Sequence, residues 1–121
     1  MSAESNKIFA RSIYEAFNTR NLDALDKLMD RDFVDHYPGP EQEPGVKGIK
    51  EVWAQIWAKF PEVYIVVEDM ISEGDKVATR LALQRKASGD RGVVKVGRIF
   101  EIFRIVDGKV VELWNMFKWI A

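Results

Sequence analysis

Two hydrophobic periods divide this chain. Up to about residue 60 the apolar side chains recur every three to four positions, and from residue 64 onward they recur every second position. Ile8, Ala10, Ile13, Tyr14, Ala16 and Phe17 predict an amphipathic helix over residues 4–19. Asn21 is suited to cap a second helix carrying Leu22, Leu25, Leu28 and Met29. The stretch Asp32 to Tyr37 reads as short and extended. The Pro- and Gly-rich run from Pro38 to Gly45 reads as a rigid loop. A third helix is expected from about Gly48 to Phe60, burying Ile49, Val52, Trp53, Ile56 and Trp57, and Pro61 stops it.

Beyond Pro61 the pattern predicts four strands: Tyr64–Ser72, Lys76 to about Ala87, Val93–Val106, and a closing run from Lys109 to Ala121. Glu73-Gly-Asp75, Ser88–Gly92 and Asp107-Gly108 supply tight turns between them. Three helices followed by four meandering antiparallel strands imply an α+β fold with helices on one face of a curved sheet. Such a sheet, closed by helices, leaves a conical cavity suited to a small molecule.

Composition narrows the possibilities mainly by exclusion. A chain of 121 residues with 47% hydrophobic and 31% charged residues suits one globular domain over 1–121. A formal net charge of -1 gives no electrostatic reason to expect nucleic acid or an anionic membrane as partner. No apolar run has the length of a membrane span, and the polar start Ser2–Lys7 does not read as a signal peptide, so a cytoplasmic protein is expected. The absence of cysteine excludes disulfides and thiol chemistry, and a single histidine excludes a site needing two. Glu68, Asp69, Asp75 and Asp90 show no metal spacing, and no phosphate loop or serine elbow is present, so no cofactor is expected.

The closing run holds an unusual sequence. Glu112, Trp114, Met116 and Lys118 share one strand face, and Leu113, Asn115, Phe117 and Trp119 share the other. The first face is either a pocket wall or an amphipathic surface. Lys118 accordingly has three readings: a nucleophilic amine with a lowered pKa, an ion-pair partner of Glu112 or Glu101, or a lysine reaching water along its apolar stem. Glu101 stands in a row of Gly97, Ile99, Phe103 and Ile105, which suits a buried carboxyl for acid/base work or a cross-strand partner for a cation. Arg80 is either a two-donor site for a carboxylate or enolate, or an ion-pair partner of Glu101 or Glu112. Tyr37, Trp53, Trp57, Phe60, Met70, Trp114 and Met116 are candidates to line a cavity for a flat ligand, or else to pack the core.

Several stretches, in order, resemble the SnoaL-like polyketide cyclases of the NTF2-like superfamily. They are Asp32–His36, Gly48–Glu51, Phe60-Pro61, Val67–Asp69, Glu73–Arg80, Glu101–Arg104, and Asp107–Glu112 with Trp114. The resemblance spans nearly the whole chain and implies an NTF2-like cone, with three N-terminal helices packed on a curved antiparallel β-sheet. It further implies a hydrophobic small-molecule ligand and cyclase-, isomerase- or dehydratase-type proton transfer. In relatives the extended segment holding His36 runs along the cavity, which makes His36 a candidate acid or base beside Glu101; a hydrogen-bonded structural histidine is the alternative. Relatives also pair through the outer sheet face, for which Val93, Ile102 and Trp119 would supply an apolar patch in a homodimer. Two departures stand out. Leu113 replaces the His or Arg usual before Trp114, and Lys118 stands where the family carries its acid four residues after the Trp. The short Gln84–Gly92 stretch likewise lacks the usual Gly-Thr-His and longer loop. A binding or accessory module that has lost catalysis is therefore the alternative function.

Overall fold

The computed structural model describes residues 2–89 and 91–120; Asp90 of the Ser88–Gly92 turn and Ala121 of the closing run lie outside the described residues, as does Met1. Helix α1 spans Ala3–Asn18, with the Ser2 hydroxyl accepting from the Ser5 amide at its start. It buries Ala10, Ile13, Tyr14, Ala16 and Phe17 of the predicted stripe, but Ile8 is exposed. Its end is fixed by Arg20, whose guanidinium donates to the carbonyls of Phe17, Pro61 and Val63 while lying 5.1 Å from the Trp57 ring. The Asn18 side chain adds a pair of bonds to the backbone of Ile65. Together these contacts bind the end of α1 to the start of the sheet.

The predicted second helix is reduced. Asn21 does cap, accepting from the Ala24 amide, but the segment it opens is a 3-10 turn at Leu22–Ala24 followed by the single turn α2, Leu25–Leu28. Met29 then leaves the helix and begins strand β1, Met29–Asp35. Eight residues are too few to hold a helix against the burial of Met29 and Phe33 in the core. Helix α3 covers Gly45–Lys59, starting slightly before the predicted Gly48, and ends before Pro61 as expected.

Strands β2 (Tyr64–Glu73), β3 (Lys76–Lys86), β4 (Val93–Val106) and β5 (Lys109–Trp119) follow their predicted bounds closely. They pair antiparallel in sequence, but the sheet has a fifth member. Strand β1 runs parallel to β5 with Asp35 opposite Leu113, giving the order β1-β5-β4-β3-β2. The wholly antiparallel sheet expected from sequence is therefore a mixed one. Its parallel pair joins residues about 80 positions apart, a partnership that local periodicity does not encode.

Inner positions such as Val77, Leu81, Leu83, Ile99, Phe103 and Leu113 meet the helices in one core. The pairing of β1 with β5 stops near Leu113, so the far half of β5 has no neighbour on that side and faces α3 and the 36–44 loop. That loop is clamped by two glycines. Gly45 has φ +69°, and a Cβ there would strike the Arg31 carbonyl; a Cβ on Gly48 would strike the Glu43 carbonyl. Gly48→Ala is expected to destabilise the protein by roughly 1–3 kcal/mol, because the clash is with backbone that cannot step aside. Urea unfolding would check this, and an unchanged midpoint would mean that the turn into α3 relaxes freely.

Candidate functional site

The cone encloses a cavity of about 600 Å³ between α1, α3 and the inner face of the sheet. Its walls are mostly apolar, with Phe17, Trp53, Phe103, Phe117 and Trp119 among the lining side chains. Trp53 packs edge-on to Phe17, with ring centroids 5.2 Å apart. Exposed lining residues Tyr37, Gly39, Gln55, Lys59 and Met116 mark its mouth between the 36–44 loop, the end of α3 and the end of β5.

One polar group from β4 is set into this apolar wall. Glu101 presents a carboxyl to the cavity. Tyr14 donates its hydroxyl to Oε2 at 2.6 Å, and the Asn115 amide donates to Oε1 at 2.8 Å. Tyr14 also touches the buried Thr79 hydroxyl at 2.7 Å, so the chain of bonds crosses α1, β3, β4 and β5. Burial pushes the Glu101 carboxyl up from its ordinary value, and the nearby Asp35 charge pushes the same way; the bonds from Tyr14 and Asn115 pull partly back. Burial and the Glu101 charge push the Tyr14 phenol well up. Asp35 brings a second carboxyl to the cavity, accepting from the Tyr37 amide and the Gln42 side chain.

Strand alternation sorts the remaining candidates. Tyr37, Trp53, Met116 and Glu101 line the cavity. Trp57, Phe60 and Met70 are partly buried against the core without lining it: Trp57 packs on Phe17, and Phe60 on Trp119. His36 lies on the other side. Since Asp35 turns inward, its neighbour turns outward, and the imidazole stacks on Trp114 at 4.5 Å with Nε2 2.8 Å from Glu112. Glu112 is in turn held by Arg104, and these partners lower its pKa, His36 most strongly.

Trp114 therefore belongs to the outer face, with the Lys76 ammonium 5.5 Å from its ring. Lys118 is exposed on the same face opposite Arg98, because β5 remains a regular strand through Trp119 and its even-numbered residues point away from the helices. The nucleophilic-amine reading of Lys118 has no cavity to act in, and its pairing with Glu112 or Glu101 does not form. Arg80 is also outside. It forms ion pairs with Glu68 and Asp69 rather than with Glu101 or Glu112. Trp119, expected in an outer apolar patch, instead lies on the cavity wall against Phe117 and Phe60. Among the described residues no cluster of three or more acidic or histidine side chains is arranged to hold a metal.

The SnoaL-like polyketide cyclase family model matches residues 7–120. The chain belongs to this family. Solved structures agree with that membership. A loop-truncation variant of IdmH is 30% identical, with a TM-score of 0.80 over 93% of this chain and 92% of that one. Wild-type IdmH from Streptomyces antibioticus, described as a candidate polyketide cyclase, is 27% identical, with a TM-score of 0.78 over 93% and 91%. A candidate polyketide cyclase from Bacillus cereus, 22% identical, has the same fold with a TM-score of 0.80 over 91% of this chain and 72% of that one. No curated protein matches the chain. The NTF2-like architecture is thus that of a small-molecule-binding cyclase family, and no helix among the described residues is long and apolar enough to cross a membrane.

Sequence reasoning passed over Tyr14, Asp35, Thr79 and Asn115. For Asn115 a signal existed: like Glu101, it is one polar residue in an otherwise apolar row, with Leu113, Phe117 and Trp119. Tyr14 lay hidden in a helix stripe where an aromatic ring passes for core.

The raised Glu101 carboxyl makes stability depend on pH in a definite direction. The folded state holds this proton more tightly than the unfolded chain does, so the contribution of the group is largest below the ordinary value of 4.5. It is lost as pH rises through the higher folded value. Glu101→Gln removes that loss. Urea unfolding of both proteins between about pH 4 and 8 should show the variant gaining on the parent as pH rises. A constant difference would contradict burial as the dominant influence on Glu101.

Proposed function

We propose that this protein binds a flat, hydrophobic carbonyl compound in its cavity and moves a proton on it, with Glu101 as the acid/base group. The observation that carries this reading is a carboxyl of raised pKa, held by Tyr14 and Asn115 in the wall of an apolar cavity. A carboxylate that binds protons more tightly than usual is a better base at neutral pH, and its conjugate acid is a ready donor. Glu101 takes a proton from the carbon beside the carbonyl and returns it to the rearranged product. Asn115 spends one amide N–H on Glu101 and has a second for the oxygen on which charge develops. Burial keeps the proton affinity of Glu101 high, and the Asp35 charge adds to it. Proton transfer of this kind is common to cyclisation, isomerisation and dehydration.

His36 and Lys118 have no part in this chemistry. Their contacts lie on the outer sheet face, away from Glu101. A bicyclic aryl ketone incubated in heavy water is a direct assay. Exchange of its α-protons, followed by NMR, should be accelerated by the protein, and Glu101→Gln should reduce the acceleration by roughly 10²–10⁴-fold. Binding without accelerated exchange would favour the non-catalytic binding module; exchange that survives Glu101→Gln would sink the assignment.

The partner we propose for the outer sheet face is a second copy of the chain. Phe100 and Met116 are neighbours across β4 and β5, Ile102 and Trp114 likewise, and Ile71 and Ala78 continue the row through β3 to β2. Phe100 is 54% exposed and Met116 64%, which is a large apolar area to leave in water. Analytical ultracentrifugation should find a dimer that Phe100→Lys converts to monomer; a monomeric parent protein would refute this pairing.

A further inference from the structure

The cavity wall has a second polar feature, at the opposite end from Glu101. Lys59, the last residue of α3, lines the mouth with its ammonium 4.5 Å from the centroid of Trp119 and 5.8 Å from that of Phe60. No carboxylate among the described residues lies within 4.0 Å of it, although Lys7, Lys50 and Lys95 each have such a partner. A basic residue in the last turn of a helix favours the helix dipole wherever its side chain points. This one lies over an indole that itself forms part of the cavity wall.

Strand β5 serves as a ruler between the two ends. Its inward residues run Leu113, Asn115, Phe117, Trp119, with Asp35 opposite Leu113 and Glu101 opposite Asn115. Asn115 and Trp119 are four residues apart, about 13 Å along an extended strand. Phe117 forms the apolar floor between them. One end thus holds two carboxyl groups and the other an ammonium on an aromatic shelf. Any ligand that carries an anion has one favourable orientation, because an anion at the inner end would face Asp35 and Glu101.

We propose that the ligand of this cavity is an elongated, flat aromatic compound bearing a carboxylate at one end, bound by Lys59 over Trp119. The carboxylate fixes the opposite, carbonyl-bearing end beside Glu101. The proposal rests on the small-molecule reading of the cavity, but not on any proton transfer there. Lys59 is a positioning residue, and its side chain is exposed enough for substitution without unfolding.

The test compares an anthracene carboxylate with its neutral hydroxymethyl analogue, each titrated against tryptophan fluorescence at low salt. The parent protein should bind the carboxylate roughly fivefold more tightly, the scale of a partly exposed ion pair. Lys59→Met should equalise the two probes, and Lys59→Arg should keep the preference. Added salt should shrink the preference in the parent only. Equal binding of both probes by the parent, or a preference that survives Lys59→Met, overturns the role of Lys59 and leaves the cavity reading standing. Failure of both probes to bind overturns the two together. Loss of the preference is also separable from loss of catalysis, since α-proton exchange is read independently.

Discussion

One carboxyl group in the middle of the sheet joins α1 to three of its strands. Glu101 projects from β4 and is met by Tyr14 of α1 and Asn115 of β5, with Thr79 of β3 supporting Tyr14 from behind. Removing a carboxylate from water is costly unless its oxygens are satisfied or it takes up a proton. Here both responses operate together: each oxygen has a donor, and burial still raises the proton affinity. Moving any of the four partners leaves a buried polar group without a mate, so this small network constrains how α1 rests on the sheet. The same group is the principal polar element of the cavity.

Strand alternation decides what else can join it. Inward positions of β5 supply Leu113, Asn115, Phe117 and Trp119, and outward positions supply Glu112, Trp114, Met116 and Lys118, although Met116 also reaches the cavity mouth. A second polar network occupies the outer face, where Asp75, Arg104, Glu112 and His36 form a continuous chain beside Trp114. That network joins the start of the 36–44 loop to β4 and β5 from outside. The two networks are separated by the thickness of the sheet, so changes at position 118 and changes in the cavity answer to different constraints.

Much of the fold was legible because period and punctuation agreed. The helical stripe from Ile8 to Phe17, the stop at Pro61 and the turns at Gly74 and Gly108 each mark an element that the structure contains. What failed was non-local or too short to have a period. The extended stretch read from Asp32 onward is the second half of β1, but its start at Met29, whose spacing also fits a helix, and its parallel pairing with β5 were not legible. Within the site, Glu101 was legible as the one acid in an apolar row. The facing of β5 was not, because both of its faces are apolar: Leu113, Phe117 and Trp119 on one, Trp114 and Met116 on the other. Which set turns inward depends on the helices, and that choice fixed the positions of Lys118, Trp114 and Asn115 together. Asp35 and His36 point to opposite sides, and a two-residue alternation alone does not say which of them faces the cavity.

Glu101 carries a partly buried carboxyl with a raised proton affinity in the wall of an apolar cavity. Its titration can be followed directly by NMR of protein carrying carbon-13 in its glutamate side chains, with Glu101→Gln identifying the signal. Its midpoint should lie above the ordinary 4.5, with those of Glu68 and Glu112 below it. A Glu101 signal that titrates at or below 4.5 would contradict the raised affinity.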